Sequence, residues 1–204
     1  MSYATATKQP PRTLTSTEQV ALLKVTGEHK DGFRDHVMIS TALGTALREN
    51  EILALNVSDV YDARGRSKPR VQLRVFKRSN KNAAQQEVFV PEALRYKLDK
   101  FLRMLKADGV DVSPDAPIFV SREGHRLSPR MARHAFAQWQ KRAGLSRHFK
   151  FHELRHTSLT NLYRSTRDIR LVQRQARHAS IVSTTIYAAP SDDDVAQAVR
   201  NLPC

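Results

Sequence analysis

The sequence predicts an α+β fold that is mainly α-helical and carries one small antiparallel sheet. Apolar residues recur at helical spacing over most of the 204 residues, whereas 57–91 has the alternating, β-branched pattern of strands. The length suffices for one large domain or two small ones with a real core.

Two helices are predicted near the start. Residues 1–13 are polar and proline-bearing, and are interpreted as a flexible leader or linker stub ahead of a domain over 14–204. Thr15 and Glu18 have capping-box spacing, which predicts a helix to about Lys24. A second helix is predicted from about Gly32 to Leu47.

The middle of the chain predicts a three-stranded antiparallel sheet and then a long helix. The strands are VSDVY (57–61), VQLRVFK (71–77) and EVFVP (87–91). The helix starts at Glu92 and stops at Gly109, and its core stripe is Leu94, Leu98, Phe101, Leu102 and Leu105.

The remaining helices follow a loop region over 115–128. Ser128 as N-cap and Pro129 at the first helical position predict a helix to about Ala143. Further helices are predicted near 152–164, 168–177 and 192–201. The helix from Pro129 carries a basic face, which is either simply solvated or contacts DNA phosphates: Arg130, Arg133, His134, Lys141 and Arg142. The net charge favours DNA contact by Arg130, Arg133, Lys141 and Arg142.

Composition indicates a polyanionic partner. Lys and Arg outnumber Asp and Glu by 34 to 20, a formal net charge of +14, and nucleic acid is favoured over an anionic membrane surface. The chain has no long apolar run and no secretory leader, so we predict neither a membrane span nor secretion. Cys204 is the single cysteine, which excludes an internal disulfide. The predicted location is the bacterial cytoplasm, associated with the nucleoid in use.

Candidate catalytic residues are concentrated in 151–190. His152 and Arg155 stand three apart on a predicted helix, so both face the same side and can converge on one anion. His178 follows, and a turn over 183–185 could bring Tyr187 back toward them. Each motif alone is typical of a solvated helix face or a packing tyrosine. Their combination, with Arg48 and Glu51 upstream, predicts phosphoryl transfer to a tyrosine.

In this order and spacing the residues resemble the tyrosine recombinases, or phage integrase family. That family has Arg-x-x-Glu, a lysine on a β-hairpin, His-x-x-Arg, a second His or Trp, and the tyrosine. The corresponding residues here are Arg48 with Glu51, a lysine of VFKRSNK, His152 with Arg155, His178 and Tyr187. The family commonly has Leu-Gly where this chain has Ala176-Arg177, and Thr-His where it has Ala188-Ala189. These departures affect local geometry rather than the reacting groups.

The resemblance implies a role for each residue. Arg48 and Arg155 would stabilise the phosphate in the transition state, with His152 as base and His178 as a hydrogen-bond donor. Lys77 is favoured over Lys81 as general acid, because its distance from the strand better resembles the family. Supporting roles at the catalytic site are assigned to three further residues: Glu51, Lys81 and His156. Guanidinium groups take the part that a metal plays elsewhere, so no metal and no cofactor is predicted.

The implied function is a site-specific DNA recombinase or integrase that acts through a 3′-phosphotyrosine intermediate. A type IB topoisomerase and a catalytically silent DNA-binding regulator are the alternatives. Family members usually have a helical core-binding domain ahead of the catalytic one. This domain is expected to be absent here, either excised or never present.

The tail SDDDVAQAVRNL predicts how the protein assembles. It carries a narrow apolar stripe: Val195, Ala198, Val199 and Leu202. Such a tail often packs onto a neighbouring protomer in the resembling family, and the alternative is that it folds back on its own domain. We predict a monomer in solution that associates into dimers or tetramers on double-stranded DNA, since the stripe is small and the charge is self-repelling.

Overall fold

The structure, a computed structural model, describes residues 11–74, 86–188 and 199–200. Within these ranges the elements follow one another as α1 (Ser16–Glu28), α2 (Phe33–Thr45), α3 (Glu49–Leu53), α4 (Val57–Val60), β1 (Arg70–Gln72), β2 (Glu87–Phe89), α5 (Glu92–Ala107), α6 (Pro129–Arg142), α7 (Phe151–Thr166) and α8 (Ile169–Ala176). Two 3₁₀ turns follow, Ile181–Ser183 and Thr185–Tyr187. The predicted mainly helical α+β fold is confirmed.

Local capping signals set the helix starts that the sequence predicted. The Thr15 side chain accepts from the Glu18 amide at 3.2 Å, and the Glu18 carboxylate accepts from the Thr15 amide at 2.8 Å. The Ser128 hydroxyl accepts from the Met131 amide at 3.2 Å, with Pro129 at the first helical position. These caps satisfy backbone donors that have no partner inside the helix.

Helix α2 lies at the centre of the fold. It packs against α1, α5 and α7, and residues Val37, Met38 and Ile39 are completely buried. All five residues of the apolar stripe predicted on α5 are buried, so its core-facing side was predicted correctly.

The predicted three-stranded sheet is wrong. The described sheet has two antiparallel strands, β1 and β2, with Val71 opposite Val88. The segment VSDVY forms the short helix α4 instead of a strand. The Asp59 carboxylate accepts from the Asn56 amide at 2.9 Å, an N-terminal helix contact that outweighs the alternating pattern. Tyr61, the last residue of the segment, pairs with Ser67 in an isolated β-bridge.

A second, smaller apolar cluster lies beside the main core. It consists of Ala46, Leu159, Val172, Ala176 and Tyr187, and we call it the tyrosine cluster. Its members come from the end of α2, from α7, from α8 and from the last 3₁₀ turn. The cluster therefore brings together segments that carry the predicted catalytic residues. Within the described ranges, no helix combines the length and apolar character needed to cross a bilayer.

Candidate active site

Arg48 lies in the turn between α2 and α3. Helix α2 ends with Ala46 in the left-handed conformation, and Arg48 is extended just ahead of α3. The Glu51 carboxylate accepts from the Arg48 amide at 2.7 Å and from its Nη1 at 2.9 Å. Glu51 thus fixes both the backbone and the guanidinium of Arg48, while the Arg48 side chain stays 31% exposed. Glu51 is thus placed to orient the Arg48 cation, and its supporting role stays a prediction.

Arg155 is buried at the centre of the site, with 3% of its surface exposed. Its Nη2 donates to the Ala176 carbonyl at 2.7 Å, and its Nη1 donates to the Ala46 carbonyl. The side chain on α7 therefore joins the end of α2 to the end of α8. Burial and then the charge of Arg48 lower the pKa of Arg155 to about 10, although Glu51 opposes the shift. The guanidinium stays protonated at neutral pH.

His178 follows the end of α8 and contacts Arg155. Its Nε2 lies 3.3 Å from Arg155 Nη2, and its Nδ1 lies 2.9 Å from Thr184 Oγ1. Since a guanidinium only donates, Nε2 accepts and Nδ1 carries the proton. Burial and then the charges of Arg155 and Arg48 lower the pKa of His178 to about 4. His178 must therefore gain a proton at Nε2 before that nitrogen can donate to a phosphate.

Tyr187 is buried in the tyrosine cluster, with 6% of its surface exposed. The turn predicted over 183–185 is present, because two consecutive 3₁₀ turns bring the chain back to α7. The Tyr187 ring stacks on His178 with 6.3 Å between ring centroids. Its hydroxyl lies 2.9 Å from Nδ1 of His156. Burial raises the pKa of Tyr187, and Arg155 and then Arg48 partly offset this.

His156, rather than His152, contacts the tyrosine hydroxyl. The two histidines are four residues apart on α7 and their rings meet edge to face, with 4.8 Å between centroids. Burial and then the charges of His152 and Arg155 lower the pKa of His156 to about 4, so its ring is neutral at neutral pH. In the described part of the chain no hydrogen bond joins His152 to Tyr187. His156 stands one helical turn after His152 and so faces the same side of the helix. This spacing is the sequence signal that could have made His156 a candidate for the contact with the tyrosine.

The two candidate lysines, Lys77 and Lys81, lie outside the described residues. Strand β2, which follows them in the chain, is held against α8, because Gln175 Nε2 donates to the Phe89 carbonyl at 3.1 Å and its Oε1 accepts from the Phe89 amide at 3.3 Å. Strand β2 thus lies beside the helix that leads to His178. The general-acid assignment stays a prediction.

The basic side chains predicted on α6 are exposed: Arg130, Arg133, His134, Lys141 and Arg142. Arg133 makes a forked ion pair with Glu49, at 2.6 Å from Nη2 and 2.8 Å from Nε. Glu49 directly follows Arg48, so this ion pair links the basic face to the active-site turn. The predicted DNA contacts of these side chains stay a prediction.

The site as a whole is suited to phosphoryl transfer. Guanidinium groups bind the non-bridging oxygens of a phosphate, and a phenol beside a neutral imidazole has a proton acceptor within reach. Among the described residues, no group of three or more His, Cys, Asp or Glu is placed to hold a metal ion.

A mainly helical fold thus gathers a tyrosine, arginines and histidines into one cluster. The sequence model of the Phage integrase family matches residues 12–194, and the chain belongs to this family. It is 28% identical over 177 residues to the tyrosine recombinase XerC of Vibrio cholerae serotype O1, covering 87% of this chain and 53% of that protein. It is 30% identical to XerC of Neisseria meningitidis serogroup C, covering 93% of this chain and 60% of that protein. The chain thus spans little more than half the length of these relatives.

Solved structures share the fold. The XerA recombinase aligns with a TM-score of 0.74 at 23% identity, covering 100% of this chain and 68% of that one. The XerH site-specific recombinase bound to its difH substrate aligns with a TM-score of 0.72 at 22% identity, covering 98% and 57%. A lambda integrase dimer bound to a core site aligns with a TM-score of 0.65 at 20% identity, covering 90% and 61%.

Proposed function

We propose that this protein is a site-specific DNA recombinase that cleaves and rejoins strands through a 3′-phosphotyrosine intermediate. One observation carries the proposal. The Tyr187 hydroxyl lies 2.9 Å from the neutral ring of His156, and the Tyr187 ring stacks on His178, which contacts the buried Arg155. Nucleophile, proton acceptor and phosphate-binding cation thus form one cluster. Membership of the phage integrase family supports the same reaction.

In the proposed cleavage step, the Tyr187 oxygen attacks the phosphorus of the scissile phosphodiester. The new oxygen–phosphorus bond forms as the bond to the 5′ oxygen breaks, so the phosphate stays on the 3′ end as a tyrosine ester. Arg48 and Arg155 stabilise the negative charge that grows on the non-bridging oxygens. The phenol gives its proton to a base, and the departing 5′ oxygen takes one from Lys77. Rejoining is the reverse step and needs no ATP, because the ester retains the bond energy.

The geometry favours His156 over His152 as the group that takes the phenol proton, because a base must lie within hydrogen-bonding distance of that proton. We expect His156→Gln to slow covalent attachment by about 10²-fold, the usual scale for losing a positioned base. Glutamine preserves a polar contact to the hydroxyl but cannot accept its proton. His152→Gln is the matched control, and single-turnover cleavage rates compare the two. A larger loss of cleavage rate in His152→Gln than in His156→Gln would show that His152 is the base.

The general acid can be identified with a substrate that does not need one. A 5′-bridging phosphorothioate releases a thiolate, which leaves without taking up a proton. We expect Lys77→Ala to lose cleavage of ordinary DNA and to recover on this substrate. Lys81→Ala should respond little to the sulfur substitution. If instead Lys81→Ala is the variant that recovers, Lys81 is the acid.

We propose double-stranded DNA as the partner, with self-association on DNA of a protein that is monomeric in solution. Support comes from the net charge of +14 and from the DNA-bound XerH and lambda integrase structures, the second of which contains a dimer. The tail from Ser191, predicted to couple protomers, lies outside the described residues except for Val199 and Arg200. The bacterial origin of the XerC relatives supports a location in the bacterial cytoplasm.

Two assays test the proposed function. A nicked suicide substrate should trap a protein–DNA adduct that survives denaturation, and its absence would leave only a DNA-binding protein. A reaction with two target sites should yield exchanged strands. Relaxation of supercoiled DNA without exchange would instead indicate a type IB topoisomerase.

A further inference from the structure

Arg177 is a buried arginine in a backbone conformation that favours glycine. It ends helix α8 with φ 54° and ψ 43°, and its side chain is only 1% exposed. Left-handed backbone is unfavourable for a non-glycine residue, and a buried guanidinium must be compensated by a countercharge. Two unfavourable features at one residue indicate that the side chain has a function.

The Arg177 side chain reaches the carboxylate that holds Arg48. Its Nη2 donates to Glu51 Oε2 at 2.5 Å. The same oxygen accepts from the Arg48 amide at 2.7 Å, and Oε1 accepts from Arg48 Nη1 at 2.9 Å. Glu51 is itself buried, with 3% of its side chain exposed. The carboxylate therefore lies between two arginines, and Arg177 approaches it from the end of α8.

Charge balance gives this contact a consequence for the phosphate. Without Arg177, the carboxylate of Glu51 would cancel part of the positive charge that Arg48 and Arg155 present. With Arg177 paired to Glu51, that charge remains available to the scissile phosphate. The two partners are buried, so water and salt screen the effect weakly.

We propose that Arg177 is a positioning residue for strand cleavage. It neutralises the Glu51 carboxylate and holds it in place, and Glu51 in turn fixes Arg48 against the scissile phosphate. The assignment rests on the proposed function, since its target is the cleavage step.

The ionisation of Glu51 offers a signature of this role. Burial acts to raise the pKa of Glu51, but Arg177 and then the amide of Arg48 outweigh it, so the pKa lies below its usual value. Among the residues that the structure describes, the charged groups that face the carboxylate are Arg48, Arg177 on the end of α8, and Arg155 on α7. Removing Arg177 removes the strongest of the influences that lower this pKa, so the pKa must rise.

The test compares Arg177→Gly, Arg177→Lys and a matched control, Arg167→Gly. Arg167 also ends a helix in the left-handed conformation, with φ 53°, but it is exposed and its guanidinium lies over the Tyr163 ring. Both glycine variants relieve the same backbone conformation, and only one removes a charge from Glu51. Adduct formation on the nicked suicide substrate, duplex affinity and thermal unfolding are measured for each.

We expect Arg177→Gly to slow adduct formation by about 10- to 100-fold, the scale for residues that orient a reacting group, with duplex affinity nearly unchanged. Arg177→Lys keeps the charge and should fall between Arg177→Gly and the unchanged protein. Arg167→Gly should cleave normally. In a Glu51→Gln background, Arg177→Gly should add little further loss, because the two residues act as one unit.

A second readout does not depend on cleavage. A lowered Glu51 pKa contributes stability above the unfolded pKa that is lost as pH falls through the folded pKa. Removing Arg177 raises the folded pKa toward or above the unfolded value, so Arg177→Gly should lose less stability than the unchanged protein in denaturation curves taken from about pH 7 to about pH 3. Arg167→Gly should lose as much as the unchanged protein. Normal cleavage by folded Arg177→Gly, or Arg177→Lys as impaired as Arg177→Gly, would overturn the proposal. If the unchanged protein forms no adduct, the proposed function fails. The Arg177 assignment is then overturned separately if Arg177→Gly loses as much stability in acid as the unchanged protein.

Discussion

Tyr187→Phe is expected to abolish covalent attachment to DNA while leaving duplex binding nearly intact. Only the hydroxyl takes part in the ester, and the ring that packs in the tyrosine cluster is retained. The lost contact with His156 should cost about 1 kcal/mol of folding free energy, the usual net value of one hydrogen bond. Denaturing electrophoresis after incubation with the nicked suicide substrate measures the adduct.

Tyr61→Phe is the matched control for this change. Tyr61 is also buried, with 3% of its surface exposed, and its hydroxyl donates to the Leu98 carbonyl at 2.7 Å. The variant makes the same chemical change in the main core, so it should lose comparable stability and keep the adduct. An adduct that persists in Tyr187→Phe would show that Tyr187 is not the nucleophile.

The helices could be predicted because their signals are local. Thr15 with Glu18, and Ser128 with Pro129, satisfy backbone groups within one turn, and the structure starts helices at these points. Short strands depend on partners distant in sequence, and alternation alone cannot distinguish them from a capped turn of helix. The segment VSDVY was misassigned for this reason, since Asp59 in the segment accepts from the amide of Asn56, the residue just before it.

Sequence spacing identified which residues meet but not which atoms touch. Arg48, Arg155, His178 and Tyr187 could be grouped from their order in the chain, and the structure brings them together at the tyrosine cluster. The ring that contacts the hydroxyl depends on how the last 3₁₀ turn packs against α7, which residue spacing does not specify.

Arg177 was recognised in the sequence only as a departure from the family pattern. The sequence alone does not distinguish an arginine side chain that is exposed there from one that is buried. Its contact with Glu51 spans 126 positions of the chain, from α3 to the end of α8. Such a pairing depends on the tertiary fold, and no local sequence pattern predicts it.

The second large effect is expected from the two arginines that would hold the phosphate. We expect Arg48→Ala and Arg155→Ala each to slow cleavage by at least about 10²-fold, the scale for losing one partner of transition-state charge. The structure predicts that the two variants differ in stability. Arg155 is buried and its guanidinium ties the Ala46 and Ala176 carbonyls together, so its loss leaves buried acceptors without their donor.

Arg48 is partly exposed, and its backbone contact with Glu51 survives truncation of the side chain. Arg48→Ala should therefore unfold near the temperature of the unchanged protein, whereas Arg155→Ala should unfold several degrees lower. Arg66→Ala is the control, because Arg66 forms an exposed ion pair with Asp62 in the turn before β1. Single-turnover cleavage and thermal unfolding of the three variants separate chemistry from folding. Near-normal cleavage by folded Arg48→Ala or Arg155→Ala would show that this arginine does not bind the scissile phosphate. Equal unfolding temperatures for the two variants would contradict the structural role of Arg155.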